Sequence, residues 1–344
     1  MKSFYPFLLI VFTITISSAV KGQNFDNAGE YMSYIHQQNE NISKKFLSYA
    51  SASAHGKRAR KVENLRTKLL DEVQEVRMNI GSMPAFKGDK TYRDTSVSFM
   101  KMYYNVLNDD YSKVVNMEEI AEQSYDEMEA LLLIKEGIDK KLEEGNEKVH
   151  QAQKTFAAKN NITLVESTSA LDEKTNQVHE LNKHYNEIYL LFFKPYKQEE
   201  KLMEAVSKGN ITSIEQTKNA MQRYATEGIE KLKSIKSFQG DNSVTAATKS
   251  ILQFYVKEAT AMSAISDYFL AKERFDAVNK EFEKKDEPTK AETDNYNKAV
   301  KEINKALEVY NQKNKELNEQ RSQELKNWNK TVNEFFDEHT PRYK

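Results

Sequence analysis

The chain has 344 residues, with 51 Lys and Arg against 52 Asp and Glu, 39% hydrophobic residues, 10 Gly, 5 Pro and no Cys. Without an excess of positive charge a phosphate backbone has nothing to attract it, which excludes nucleic acid as a partner. The missing Cys excludes disulfides, thiolate metal sites, Cys nucleophiles and a lipid-modified N-terminal Cys, while 17 Phe and 18 Tyr supply enough apolar area for a core.

Residues 1–22 differ from everything after them. Lys2 is the only early charge, Phe4 to Ile16 is nearly all apolar or Thr, and Ser17, Ser18, Ala19 and Gly22 are small. This is the layout of a secretory signal peptide, and the apolar run is too short for a comfortable membrane span. Cleavage is expected before Gln23, with Val20 as the competing start, leaving 49 basic against 52 acidic residues and no membrane span in the mature chain.

Pro and Gly occur at less than half their usual share, so the mature chain reads as long helices. Apolar positions recur mostly at three and four through Tyr125, Met128, Leu132, Ile138, Leu142, Val149, Ala152 and Phe156, with Lys135 and Gly145 at the stripe positions of the two longer gaps. They do so again from Tyr296 to Phe335, where Asn314 and Arg321 interrupt the stripe. Period-two alternation is missing, which predicts no strands. Cap and stop residues divide the chain into about eight helices: 26–53, 57–82, 89–115, 124–160, 169–208, 212–236, 241–284 and 289–339. Pro195 is expected to kink or split the fifth. A capping box, Thr212 with Glu215 or Ser213 with Gln216, is expected to open the sixth.

The chain also reads as written twice. An offset of 152 aligns residues 62–103 with 214–255 and matches Glu63, Glu75, Ser82, Phe86, Gly88, Asp89, Ser98 and Tyr103 identically. Phe86-Lys-Gly88-Asp89 and Phe238-Gln-Gly240-Asp241 fall at equivalent helix junctions, followed fourteen residues later by Tyr103 and Tyr255. An offset of 172 matches Glu144, Asn146, Glu147, Gln151 and Lys154 with Glu316, Asn318, Glu319, Gln323 and Lys326, and sets Phe156 opposite Trp328. The expected fold is all-α: an elongated antiparallel bundle of coiled-coil character from two tandem repeats of about four helices, 23–165 and 166–344, the second with a longer final pair. In each corner Phe is expected to anchor the turn, Gly to reach a backbone angle closed to other residues, and Asp to cap the next helix; the rival reading is a pair of binding loops.

Four segments carry a resemblance: the Tyr31-to-Tyr34 opening, the Pro84-Ala-Phe86-Lys-Gly88-Asp89 corner, Met100-Lys-Met-Tyr-Tyr104 and Phe156-Ala-Ala-Lys-Asn-Asn-Ile-Thr163. Together they resemble an uncharacterised family of exported bacterial helical surface proteins. The resemblance implies a helical fold, export and exposure at a cell envelope, and supplies no catalytic residues or cofactor.

Catalytic motifs are sparse. His179 and His184 are five apart, about 140° around a helix, and cannot share a metal as an i, i+4 pair does. Glu147 and His150 form half of a di-iron helix motif that has no second half in the chain. His36, His55, His150 and His339 read as surface or boundary residues, and the adjacent acids Glu118-Glu119, Glu143-Glu144 and Glu199-Glu200 as solvated helix faces. No G-x-S-x-G, P-loop or dinucleotide Gly motif occurs. The aromatic run Tyr189, Phe192, Phe193 and Tyr196 offers an apolar groove or, on the plainer reading, core. The expectation is a non-enzymatic exported envelope or surface protein, an interaction or structural module for an unidentified envelope partner, without metal or cofactor. The alternatives are a periplasmic carrier of an apolar ligand, marked by a pocket among those aromatics, and an enzyme, marked by buried carboxylates or Lys.

Overall fold

The computed structural model describes residues 25–55, 58–110, 125–165 and 169–343. The signal peptide expected at 1–22, the break expected at Gly56, the Glu118-Glu119 pair, the expected end of the third helix near 115 and the expected start of the fourth at Ser124 lie outside them. Eight α-helices occur among the described residues and no strands: α1 Ala28–Ala54, α2 Ala59–Gly81, α3 Thr91–Asn105, α4 Tyr125–Lys159, α5 Ala170–Ser207, α6 Ile211–Leu232, α7 Ser243–Phe282 and α8 Lys290–His339. A π-helical turn, Val106–Asp110, continues α3. No described helix is long and apolar enough to cross a membrane.

The helix starts follow local chemistry. Asn27 caps α1 by accepting from the Glu30 amide at 2.8 Å. Ser169 and Asp172 form a reciprocal capping box at α5, and Thr289 with Glu292 forms another at α8. The capping box expected within 212–216 is not what opens α6. Gly209, at φ +63°, ends α5 in the left-handed region, and Asn210 then caps α6 by accepting from the Ser213 amide at 3.0 Å. The chain reverses so tightly that the cap falls before the Thr and Ser.

Two compact units emerge: the described residues of Met1–Asn186 with Asn333–Lys344, and Glu187–Val332. The boundary expected at 165/166 does not coincide with this division, because α5 and α8 each contribute to both units. In the first unit α1 packs on α2, α2 on α3 and α3 on α4. Tyr31, Met32, Ile35, Phe46, Val73, Ile80, Tyr103 and Phe156 are buried in its core. Gly145 of α4 lets α3 approach closely; a Cβ there would stand 2.9 Å from the Phe99 ring and nearer still to Met102.

The second unit is built from the latter half of α5, all of α6 and α7, and most of α8. Pro195 does not split α5, which is one helix to Ser207. Glu215 of α6 accepts from Ser266 of α7 at 3.0 Å, and Gly209 abuts the Phe269 ring, so the α5–α6 reversal lies level with residue 269. Beyond that level α7 runs on to Phe282, 13 residues or about 20 Å, and the ring contacts of Phe275 and Phe282 there are with Tyr296 of α8. The α7–α8 pairing keeps one antiparallel register throughout, from Thr248 with Trp328, through Lys257 with Gln320 and Tyr268 with Tyr310, to Phe282 with Tyr296. Two helices cannot enclose each other. Phe275, Phe282, Tyr296 and Ile303 are half-buried along the seam, and between residues 271 and 316 only Ala299 is fully covered.

Candidate functional site

Three apolar stripes of the second unit are each broken by one charged residue. On α5, Glu199 follows Phe192 and Tyr196; on α7, Glu258 lies between Tyr255 and Met262; on α8, Arg321 lies between Leu317 and Trp328. Burial makes these interruptions a single cluster. Glu199 is 4% exposed, Glu258 and Tyr255 are 0% exposed, and Arg321 ties the two carboxylates together, its Nη2 donating to Glu258 Oε1 and its Nε in an ion pair with Glu199 Oε1. The guanidinium also donates to Asn318 Oδ1 and to Met203 Sδ, the latter at 3.2 Å. Glu258 Oε2 and the Tyr255 hydroxyl take no hydrogen bond from the described residues.

The electrostatics follow from two carboxylates sharing one cation out of water. Burial pushes the Glu258 carboxyl up to about 7; Arg321 pulls it back and Glu199 adds to the rise. Glu199 is raised too, by burial first, with Arg321 opposing and the neighbouring Glu200 adding to the rise, and Tyr255 is held well above its ordinary value by burial and by both Glu199 and Glu258. The Glu199-Glu200 pair is therefore corrected: Glu200 stays exposed beside Lys197, while Glu199 faces the interior. Adjacent helical residues point about 100° apart, so one faced the core and the other did not. The signal present in the sequence was three interruptions on three stripes with complementary charge.

The aromatic run sits next to this cluster in sequence. Phe192 stacks on Trp328 at 3.8 Å between ring centroids and 16° between planes, and also on Tyr196 at 5.3 Å. Tyr189 contacts Phe192, Phe193 and Trp328. Tyr189, Phe192 and Phe193 are buried and Tyr196 is half-buried, so these rings cover one another. The indole N–H of Trp328 donates to Thr248 Oγ1 at 2.9 Å.

Each corner is a two-residue reversal closed by a pair of backbone hydrogen bonds. Phe86 and Asp89 exchange bonds of 3.0 and 2.9 Å, as do Phe238 and Asp241. Lys87 and Gly88 have φ of 50° and 85°; Gln239 and Gly240 have 51° and 89°. Two consecutive positive φ values make a type I′ turn, which favours Gly at the second position. Nothing lies within 4 Å of a Cβ at either Gly, so the requirement is conformational alone. The aspartates bond in a tighter register than an N2 or N3 cap. Asp89 accepts from the Thr91 amide at 2.8 Å and Asp241 from the Ser243 amide at 2.6 Å, each two residues ahead. Phe86 is buried against Tyr31 and Phe156, and Phe238 is buried as well. The Thr91 bonds, with Lys159 at 2.9 Å, hold the Asp89 carboxyl down at about 2.

The histidines expected near the surface are mostly covered. His150 and His339 are 9% and 8% exposed, the side chain of His55 is 7% exposed and that of His36 16%. His55 Nδ1 lies 2.6 Å from Asp337 Oδ1, a partner 282 positions away that no local pattern could supply. Glu147 pairs with His150 at 3.8 Å, and His179 is half-buried, which lowers its basicity. No protein-family model matches the chain, and neither the curated proteins nor the solved structures compared with it yield a significant match.

Proposed function

We propose that the chain is an exported, non-enzymatic module of the cell envelope or surface, and that it acts through the distal α7–α8 hairpin. The carrying observation is that hairpin itself. About 20 Å of paired helix continues past the α5–α6 reversal without a core of its own. Charged residues cover its outer faces, including Lys272, Glu273, Arg274, Asp276, Lys298, Lys301 and Glu302. A paired-helix arm of this kind offers two long faces to a partner and contributes little to folding the rest of the unit.

The buried carboxylates fit this reading better than an enzymatic one. Glu199 and Glu258 face each other across a guanidinium, and acid–base work on a substrate needs a carboxylate able to reach it. Mutual ring contacts around Trp328 likewise favour core over a carrier's groove. The matching geometry of the two corners supports the reading that the fold arose by duplication, with the second copy extended at its final helical pair.

The experiment exploits the absence of native Cys. Single cysteines at Glu302 on the hairpin and at Lys231 on α6, both exposed positions, are crosslinked in the native host after fractionation. The expected result is a chain beginning at Gln23 in the exported fraction and a discrete crosslinked envelope component from position 302 only. Retention of Met1 in the exported chain would overturn the cleaved-signal reading, absence of the chain from the exported fraction would overturn export, and equal crosslinking from both positions would overturn the assignment to the hairpin.

A further inference from the structure

We infer that the second unit holds a buried proton site, built from Glu199, Glu258, Arg321 and Tyr255, whose proton locks α5, α7 and α8 together and whose loss loosens them. Charge and geometry carry this. One guanidinium faces two carboxylates, so full ionisation leaves a net negative charge in a place where Glu258 and Tyr255 are completely covered. A single proton cancels that charge. It also provides a donor where two oxygens, Glu258 Oε2 and the Tyr255 hydroxyl, have no hydrogen-bond partner among the described residues.

From α5 come Glu199 and Tyr196, from α7 Tyr255, and from α8 Arg321. The buried positions of α6 are Ile214, Met221, Ala225, Gly228 and Leu232, none of them charged. Glu200 is exposed and paired with Lys197, and Lys257 is exposed and donates to Gln320 at 2.9 Å. Among the described residues Arg321 is the cation paired with Glu199 and Glu258, and none of the groups named here supplies a second that would make the proton unnecessary.

The direction of the pH effect follows. Glu258 is raised from 4.5 to about 7 in the folded unit, so the fold binds more protons than the unfolded chain between those values. Its contribution is fully present below 4.5 and is lost as pH rises through about 7. The protein supplies its own reporter for this. Trp328 is the single Trp and lies in the second unit beside Phe192, whereas all six His, at 36, 55, 150, 179, 184 and 339, fall outside Glu187–Val332. Tryptophan emission excited beyond tyrosine absorption therefore follows the unit that carries the site.

The test is thermal unfolding of the full chain, read by Trp328 emission, from about pH 5.5 to about pH 8.5. The wild-type Tm is expected to fall by roughly 5 °C or more across that range. Glu258→Gln and Glu199→Gln each leave one carboxylate for one guanidinium and are expected to flatten the slope and to melt above the wild type at the alkaline end. Either variant suffices if the other does not fold. If neither folds, infrared difference spectra of the wild type, isotope-edited with labelled Glu, decide instead: a protonated Glu carboxyl present at mildly acidic pH should disappear at the alkaline end. A flat wild-type profile, an unchanged slope in a folded Gln variant, or no protonated Glu band above about pH 5.5 would each overturn the inference.

Discussion

Gly228 of α6 lies against the backbone carbonyl of Leu191 on α5: a Cβ added at Gly228 would stand 3.5 Å from that oxygen and 2.9 Å from Leu252 Cδ1. Leu191 is four residues before Pro195, which has no N–H to return to it, so its carbonyl lies in the turn of α5 left without the usual bond. The bare backbone of Gly228 lets α6 pack on that turn. A Gly in a helix interior forfeits about 1 kcal/mol of propensity, so an Ala there should gain it back unless the methyl is refused. We expect Gly228→Ala to be near neutral and Gly228→Val to lose about 1–3 kcal/mol by overpacking. Denaturant unfolding followed by Trp328 emission checks this, and a Val variant as stable as wild type would refute the close-packing account.

Gly145 is the corresponding test in the first unit. Its added methyl would meet the Phe99 ring at 2.9 Å and the end of Met102 closer still. Met102 can swing aside but a buried ring cannot, so Gly145→Ala should destabilise by about 1–2 kcal/mol despite better helix propensity. Hydrogen exchange of α3 and α4 amides should localise the loss there.

The two corners should answer alike. Gly88→Ala and Gly240→Ala place a Cβ in the left-handed region with open space around it, and each should cost about 1–2 kcal/mol through backbone strain alone. Asp89→Ala and Asp241→Ala remove the bonds to the Thr91 and Ser243 amides and should cost about 1 kcal/mol each. Circular-dichroism melts of the four variants provide the check. Unchanged stability with loss of envelope crosslinking would make the corners binding loops.

Thr248 is wholly buried and is the acceptor for the Trp328 indole. Thr248→Val keeps the shape and removes the oxygen, which leaves a buried N–H unsatisfied. The expected loss is about 1–3 kcal/mol, with a blue-shifted Trp328 emission; Thr248→Ser should restore most of it.

Acid should act on the first unit in the opposite sense to the second. Burial lowers His36 below its ordinary 6.5, with Glu40 opposing, and lowers His179 as well. The fold then binds fewer protons than the unfolded chain, so their contribution is complete above 6.5 and is lost as pH falls through the lower folded values. Exchange of α1 and α5 amides should accelerate on mild acidification, and His36→Gln should weaken that response. An unaltered response in the variant would place the sensitivity elsewhere.

Helix class and most boundaries of the described residues were legible in the sequence because they are set locally, by apolar spacing, caps such as Thr289, and stops such as Gly209. The φ > 0 corners were legible for the same reason: a Gly between two hydrogen-bonding positions states its own backbone angle. What the sequence could not settle was which polar residues would be enclosed. Glu199, Glu258 and Arg321 look like ordinary surface charges until α5, α7 and α8 are brought together, and His55 meets Asp337 only through tertiary packing. Helical period fixes a residue's direction around its own axis, but burial depends on what stands opposite, and that is decided by packing between segments far apart in the chain.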